Sequence, residues 1–212
     1  MNVAVVCSDP SHPIWPQLQA FASRSPHRVH LHVKVAEAAP ADVLFLVSCH
    51  EIVNADARRR FKKTLVLHAS DLPLGRGWSP HIWQILEGRH EFVVTLLEAA
   101  DNVDSGPIWA QQRVTLEGHE LADEINAKLF AAEVSLLERA VTDFDSIVPR
   151  PQDDRAPTYY KKRSPQDSEL DPEQSIAAQF DLLRVADPSR FPAFFWLRGH
   201  KYLVRLQKAD HD

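Results

Sequence analysis

The sequence predicts an α/β fold: a Rossmann-like, mostly parallel β-sheet flanked by helices, with a small C-terminal helix and β-hairpin appended. Three continuous apolar runs, at residues 3–7, 43–47 and 64–67, are typical of strands that are buried on both faces. Helical patterns lie between them at short spacing, and this alternation favours parallel strands joined by helical crossovers. The length of 212 residues suits one domain with a small appendage.

The first half of the chain supplies further elements around these strands. Residues 15–21 predict a helix, and residues 29–35 alternate apolar and polar side chains as a strand with one polar face does. Residues 56–63 predict a short basic helix. Residues 81–86 predict another helix, which follows a long loop at residues 69–80 rich in Gly and Pro.

Two more strands and a long helix are predicted next. Residues 92–97 and 108–114 are strand candidates joined by an acidic loop at residues 98–106, so a hairpin-like pair would add an antiparallel edge to the sheet. Apolar residues then recur at helical spacing from Leu121 to Phe144, which predicts one amphipathic helix packed on the sheet.

The chain changes character near residue 150. A polar stretch with three prolines, residues 149–157, predicts a linker. We therefore expect a first domain over residues 1–150 and a C-terminal extension over residues 151–212.

The extension carries its own helix and hairpin signals. Residues 171–174, Asp-Pro-Glu-Gln, resemble a capped helix start, and Ile176, Phe180 and Leu183 would form the apolar face of that helix. Residues 194–197 and 202–206 predict a β-hairpin. Its aromatic side chains could pair with a second chain in a homodimer, or cover their own domain.

Composition and charge exclude some classes of function. Lys and Arg number 24 and Asp and Glu 29, so the net charge is 24 − 29 = −5, which disfavours a nucleic-acid partner. The N-terminus has no basic leader, and no stretch approaches the ~20 apolar residues of a membrane span. The sequence thus predicts a soluble cytoplasmic protein without a membrane partner. Cys7 and Cys49 have no metal-ligand spacing, and the pair His30 and His32 lacks a third ligand, so no metal is expected.

Three loops follow the predicted parallel strands at the sheet edge where ligands bind in such folds. They are residues 8–15, 48–54 and 68–80. The first loop contains Asp9, Pro10 and Pro13 instead of the glycines of a dinucleotide fingerprint, so a pyrophosphate site there is not expected.

Two titratable residues and one aromatic residue near these loops could carry chemistry. His68 ends the third apolar run and opens the longest loop, where its imidazole could act as a general base or simply cap the strand. Asp104, in the acidic loop, could orient a histidine and stabilise its protonated form, or belong to a solvated turn. Trp78 could stack on a flat ligand. The residues alone leave these alternatives open.

Two motifs resemble the formyltransferase family, which includes methionyl-tRNA formyltransferase and the nucleotide-sugar N-formyltransferases. Residues 68–80, HASDLPLGRGWSP, are followed by WQILEG at residues 83–88, and DSGPI at residues 104–108 is similar to the family's Asp-Thr-Gly segment before a strand. The resemblance covers roughly residues 1–150. Residues 158–167 are similar to the tails of the sugar-modifying members, whereas the tRNA enzymes carry a longer C-terminal barrel.

The resemblance implies transfer of a formyl group from the co-substrate 10-formyltetrahydrofolate to the primary amine of a nucleotide-linked amino sugar, in the making of a cell-surface glycan. It makes His68 the general base and Asp104 the group that orients and charges it. It also places the folate and the amine. The expected folate-binding residues are Cys49, Glu51, Ile52, Asp101 and Val103. The expected borders of the amine are Arg76, Gly77 and Trp78, with Arg76 or the cluster at residues 161–163 meeting the phosphates.

One position departs from the family pattern. The family has an Asn two residues before the His, where it donates to the oxyanion of the tetrahedral intermediate. Here that position is Val66. The substitute donors that we consider are His50, Ser70 and Asn102, in that order.

Two other functions stay open at this point. A formyltetrahydrofolate deformylase would use water in place of the amine, although deformylases usually add an N-terminal regulatory domain and this chain starts at its first strand. A non-catalytic folate-binding relative is the other alternative, because Val66 cannot donate a hydrogen bond.

Overall fold

The computed structural model describes residues 1–153 and 155–209. Its strands are β1 (Asn2–Val6), β2 (Arg28–His32), β3 (Ala41–Leu46), β4 (Phe61–His68), β5 (Arg76–Gly77), β6 (Glu91–Glu98), β7 (Ile108–Thr115), β8 (Tyr159–Tyr160), β9 (Ala193–Leu197) and β10 (His200–Val204). Its α-helices are α1 (Trp15–Arg24), α2 (Ala55–Arg58), α3 (Pro80–Leu86), α4 (Ala122–Thr142) and α5 (Phe180–Arg184). Short 3₁₀ helices lie at Val35–Glu37, Pro165–Ser168 and Ala177–Gln179.

The central sheet has six strands in the order β2-β1-β3-β4-β6-β7. The first four strands are parallel, and β6 and β7 add an antiparallel edge. Both features confirm the predicted fold class. Because β1, β3 and β4 all run the same way, the loops that follow them meet at one edge of the sheet.

The main core lies between one face of this sheet and helices α1 and α4. Leu18 and Phe21 of α1 and Leu129 and Leu136 of α4 are buried there against the strands. Each such side chain contributes about 1.5–3 kcal/mol when it leaves water. This packing fixes α4 across the sheet and sets the position of every side chain that α4 directs towards the loops.

The predicted basic helix over residues 56–63 is too long. Helix α2 ends at Arg58, and Lys62 and Lys63 belong to strand β4. Each of these lysines pairs with a carboxylate on a neighbouring strand, Lys62 with Asp42 and Lys63 with Glu98. These partners, and the long aliphatic stems, make two charged residues compatible with the start of a central strand.

The helix start predicted at residues 171–174 is also wrong. Asp171 and Gln179 are joined by two hydrogen bonds, from the Asp171 N–H to the Gln179 Oε1 and from the Gln179 Nε2 to the Asp171 carbonyl. These side-chain bonds compete with helix formation, as they do in many turns. The regular helix, α5, begins only at Phe180, and Ile176 is exposed.

The predicted C-terminal hairpin is confirmed as the antiparallel pair β9 and β10. Its turn consists of Arg198 and Gly199, both with positive φ. Trp196 and Leu203 are exposed, and the homodimer through this hairpin stays a prediction. No helix within residues 1–153 and 155–209 is both long enough and apolar enough to cross a bilayer.

Candidate active site

A cavity of about 640 Å³ opens at the carboxyl edge of the parallel strands. Its walls come from the loops after β3, β4 and β6, from one face of α4 and from the segment after α5. His68 and Asp104 both line it. The topology therefore brings together residues that lie far apart in the chain.

His68 is held at the end of β4 with its side chain 8% exposed. Its Nε2 lies 2.8 Å from the carbonyl oxygen of Gly75. Because a carbonyl can only accept, Nε2 carries a hydrogen and donates it, and the neutral ring has its free lone pair on Nδ1. Nδ1 lies 3.6 Å from Oδ1 of Asp104. The atom that can accept a proton therefore faces the carboxylate that would stabilise the resulting imidazolium.

Asp104 is positioned by its own loop and by the loop after β4. Its φ is +55°, in the left-handed region, and its side chain is 7% exposed. The Gly77 N–H donates to Oδ2 over 3.1 Å, so Oδ1 is left for His68. Gly106 supports the turn, because a Cβ there would lie 1.9 Å from the Glu98 carbonyl oxygen. The two motifs of the sequence are thus hydrogen-bonded to each other.

Gln152 holds the Asp104 loop from behind. Its Nε2 donates to the carbonyl oxygens of Asp104 and Gly106, at 2.8 and 3.0 Å. Its Oε1 accepts a hydrogen bond from Nη2 of Arg76 over 2.8 Å. Arg76 is therefore directed behind the loop and does not line the cavity, although we expected it to border the amine. Gln152 was not selected from the sequence because it lies in the polar, proline-containing stretch that was predicted to be a linker.

The five residues expected to bind folate all line the cavity: Cys49, Glu51, Ile52, Asp101 and Val103. Arg58 of α2 joins the two loops that carry them. It donates to the carbonyl oxygens of Val53 and Ala100 and pairs with the carboxylate of Asp101. No sequence motif includes Arg58, since its partners are distant in the chain.

The three candidate oxyanion donors are placed differently. His50 lines the cavity, and its ring lies 5.7 Å from that of Trp78. Ser70 is buried near Gly75 and Asn102 is exposed, and in the described part of the chain neither lines the cavity. Val66 does line it and presents methyl groups there.

Gly77, Trp78 and two basic residues form the cavity mouth on the side expected for the amine. Lys162 places its Nζ 4.7 Å from the centre of the Trp78 ring. Arg163 lines the cavity beside it and donates to the Ser168 hydroxyl. Lys161 is instead paired with Asp167. Of the predicted basic cluster, Lys162 and Arg163 are the members that face the cavity.

The part of the cavity beside α4, here called the chamber, carries polar residues that were not selected from the sequence. His12, His81 and Glu133 line it. Burial lowers the pKa of His12 to about 4 and that of His81 to about 3, and it raises the pKa of Glu133 to about 8. The three groups are therefore uncharged near neutral pH. A Glu at a position where the helical pattern requires an apolar residue was the signal available in the sequence.

Comparison with known proteins identifies the fold and the family. A family model described as Formyl transferase matches residues 3–141. Methionyl-tRNA formyltransferase from Clostridium thermocellum has a similar structure, with a TM-score of 0.80 at 18% identity over 99% of this chain and 94% of that chain. A 4-N formyltransferase from Francisella tularensis gives a TM-score of 0.78 at 16% identity over 99% and 98%. HypX from Aquifex aeolicus in complex with tetrahydrofolic acid gives 0.80 at 18% identity over 96% of this chain, which spans 37% of HypX.

Proposed function

We propose a function from one premise: this chain belongs to the formyl transferase family. The family that the sequence motifs resemble is thereby confirmed, and formyl-group transfer follows from it. The co-substrate of this family is 10-formyltetrahydrofolate, as expected. The acceptor and the residues that carry the reaction are the parts that we propose.

The cavity fits the pterin of such a donor. Val53, Val66 and Leu97 provide apolar walls for a flat ring. Backbone groups of the loops at residues 49–53 and 99–103 border the same space and can satisfy the polar edge of the ring. Arg58 holds these two loops together, so we assign it a positioning role. When bound there, the folate supplies the formyl group on its N10 nitrogen.

The reaction needs one proton removed and one delivered. The acceptor nitrogen forms a bond to the formyl carbon, the bond from that carbon to N10 breaks, and N10 gains the proton that the acceptor nitrogen loses. We assign this proton to Nδ1 of His68, which takes it and returns it. Asp104, 3.6 Å away, stabilises the imidazolium in between. The pairing of these two side chains in the cavity is the observation that carries the proposal.

The negative charge that develops on the formyl oxygen needs a donor. Val66 cannot supply one. His50 lines the cavity near Trp78, and we propose that its ring N–H serves in this role.

We propose that the acceptor is the amine of a nucleotide-linked amino sugar. Lys162 and Arg163 at the mouth supply positive charge for a diphosphate, and Trp78 beside them supplies a stacking face. The net charge of −5 disfavours an RNA acceptor. The structural similarity to the tRNA enzyme covers nearly the whole of both chains, so chain length does not separate the two acceptor classes.

The test is turnover of 10-formyltetrahydrofolate with a panel of nucleotide-linked amino sugars, followed by release of tetrahydrofolate and by the mass of the formylated product. We expect product with at least one amino sugar and no turnover without an amine. Tetrahydrofolate release that needs no amine would assign the deformylase function instead. Folate binding with no release under any condition would assign the non-catalytic function.

Asp104→Asn gives the matched test of the proposed pair. The amide oxygen can still accept from Gly77, so the loop keeps its position while the charge is lost. We expect kcat to fall by orders of magnitude and the dissociation constant of folate to stay within about threefold. An unchanged kcat would remove Asp104 from the reaction.

A further inference from the structure

Glu133 occupies an unusual position for a carboxyl group. It lies in the middle of α4, is 7% exposed, and stands between the buried residues Ala132 and Val134. Its Oε2 is buried and has no hydrogen-bond partner among the described residues. A polar atom without a partner in an apolar core lowers stability by roughly 1–3 kcal/mol. Glu133 nevertheless lines the reaction cavity, so its carboxyl group borders a space that a ligand can enter.

Two histidines that line the same cavity also have ring nitrogens without partners among the described residues. Nδ1 of His12 accepts from the Ile14 N–H, so Nε2 carries the ring hydrogen, which has no acceptor in the described chain. Nδ1 of His81 is buried and lacks a partner among the same residues. The apolar side chains of Ile82, Leu129 and Phe130 line the same cavity.

The charge state of the chamber selects among ligands. Burial keeps the pKa values of His12 and His81 low and that of Glu133 high, so all three are neutral near pH 7. Its charged neighbours are Asp187, Arg190, which pairs with Asp9, and Arg163, whose charge acts on His81. The Cys7 thiol of the β1 end, whose pKa burial raises, adds no charge. A ligand phosphate would meet its cation at Arg163, whereas hydroxyl or carbonyl groups would find donors and acceptors at His12 and Glu133.

We propose that Glu133 and His12 form a specificity subsite that binds uncharged hydroxyl or carbonyl groups of the acceptor. The acceptor body then lies under α4, its amine reaches His68, and its phosphates stay with Lys162 and Arg163 at the mouth. Folate occupies the opposite side of His68, between the loops at residues 49–53 and 99–103. Because it assigns the acceptor body to one chamber, this subsite depends on the proposed function. Glu133 is a binding residue here and takes no part in proton transfer.

The experiment measures binding, so that it does not depend on turnover. Nucleotide-linked amino sugars, and separately tetrahydrofolate, are titrated calorimetrically into the wild-type protein and three variants at pH 6.5 and pH 9. Glu133→Leu removes the hydrogen-bonding group, and Glu133→Gln keeps a neutral one of the same shape. Glu138→Gln on the same helix is the control, since Glu138 is exposed and contacts only Arg24 at 3.8 Å.

We expect Glu133→Leu to weaken amino-sugar binding about tenfold at pH 6.5 and to leave tetrahydrofolate binding within about twofold. Glu133→Gln should stay close to wild type at pH 6.5. At pH 9 the wild-type carboxyl is ionised, so wild-type affinity for the sugar should fall while that of Glu133→Gln stays constant. Glu138→Gln should follow the wild type at both pH values.

Several results would overturn the subsite. They are amino-sugar affinity unaltered in Glu133→Leu, equal weakening of both ligands, a pH dependence that persists in Glu133→Gln, and no amino-sugar binding by the wild type. The proposed transferase activity can be disproved independently of the subsite. If sugars bind with the expected Glu133 dependence but no formyl group is transferred, the subsite stands and the proposed reaction does not.

Discussion

At the scale of single residues, the carbonyl oxygen of Gly75 decides how His68 can act. The hydrogen bond from Nε2 fixes the ring, so Nδ1 is the atom left to exchange protons. A side chain that donates at the same place but has no second nitrogen should therefore hold the loop without performing the reaction. This reasoning selects asparagine as the replacement for His68.

His68→Asn should lower kcat by about 10²–10⁴-fold, the usual contribution of a general base. The dissociation constant of tetrahydrofolate should stay within about threefold, because the folate loops at residues 49–53 and 99–103 are untouched. Steady-state kinetics and calorimetry measure the two quantities. His200→Asn, an exposed histidine at the start of β10, is the control. A His68→Asn enzyme with near-normal kcat would remove His68 from the proton transfer.

His50→Ala tests the proposed oxyanion donor. Loss of one such donor costs about 10²–10³-fold in kcat. We expect a decrease of that size with little change in KM for either substrate, measured by initial rates over a range of both concentrations. If only KM for the amino sugar rises, His50 contacts the acceptor with Trp78 and donates nothing to the oxyanion.

Arg58 and Gln152, which sequence reasoning missed, share one property: their role depends on contacts that are distant along the chain. Arg58 lies 43 positions from Asp101, and Gln152 lies 48 positions from Asp104. Neither belongs to a motif, and local patterns carry no information about such pairs. His68 could be selected from its position at the end of a buried strand, whereas Asp104 was selected through the motif that resembles the formyltransferase family. Arg76 donates to Gln152 and is not among the residues that line the cavity, so its place beside the amine stays a prediction.

At the scale of secondary structure, burial decided which elements could be predicted. Strands β1 and β3 are buried on both faces and so give unbroken apolar runs, and α4 shows its buried stripe over many turns. The start of β4 could not be predicted, because Lys62 and Lys63 are stabilised by carboxylates on other strands. The late start of α5 depends on the side chain of Gln179, which no helix signal includes.

The loop that leads into α4 is organised by one buried carboxylate, Glu120. Burial alone would raise its pKa, but hydrogen bonds from Lys128 and from the N–H groups of Glu117 and Gly118 outweigh burial and lower the pKa to about 2. A carboxyl whose folded pKa is below its unfolded value stabilises the fold above the unfolded pKa. That stabilisation is lost as the pH falls from about 4.5 towards 2.

Glu120→Gln should lower the free energy of unfolding by about 1.5–3 kcal/mol at pH 7, the range for hydrogen bonds to a charged group. The difference from wild type should shrink as the pH falls below about 4.5. Urea denaturation over pH 2.5–7 measures it. Glu117→Gln is the control, because its side chain is exposed and contacts only His119. A difference that is constant with pH would mean that the carboxylate charge is not what stabilises the loop.

At the scale of the whole molecule, the C-terminal segment is part of the site. Strand β8 pairs with β5 in the loop after β4, and Thr158 accepts from the Gly75 N–H over 2.8 Å. The division of the chain at residue 150 stays a prediction, but the two parts share the backbone that positions His68 and Asp104. A substitution that disturbs the pairing of β5 with β8 should therefore lower the reaction rate more than it disturbs the packing of the core.

Gly77→Ala tests the role of the pairing between β5 and β8. A Cβ at this position would lie 2.3 Å from the Tyr160 carbonyl oxygen, and the φ of +101° is unfavourable for alanine. The pairing of β5 with β8 should be lost, and with it the N–H that holds Asp104, so kcat should fall at least about tenfold. The main core between the sheet and α4 should remain, which circular dichroism would show. Gly88→Ala is the control, since its φ is also positive and open space surrounds it. Equal effects of the two substitutions would mean that backbone strain alone is responsible.

The subsite proposed at Glu133 should also reduce the stability of the whole molecule. Burial raises the pKa of Glu133 to about 8, above the pKa of a glutamate in the unfolded chain. A carboxyl group of this kind stabilises the fold fully below about pH 4.5, and that contribution is lost as the pH rises towards 8. At pH 7 the loss is on the order of 3 kcal/mol.

Glu133→Gln removes this titration and should raise the free energy of unfolding at pH 7 while leaving it almost unchanged at pH 4. Guanidinium denaturation at the two pH values measures the effect. If Glu133→Gln is more stable than wild type at pH 7 and also binds the amino sugar more tightly at pH 9, the ionisation of Glu133 controls both properties. A gain of equal size at pH 4 would instead come from better packing or a new hydrogen bond, and would contradict a buried neutral acid at this position.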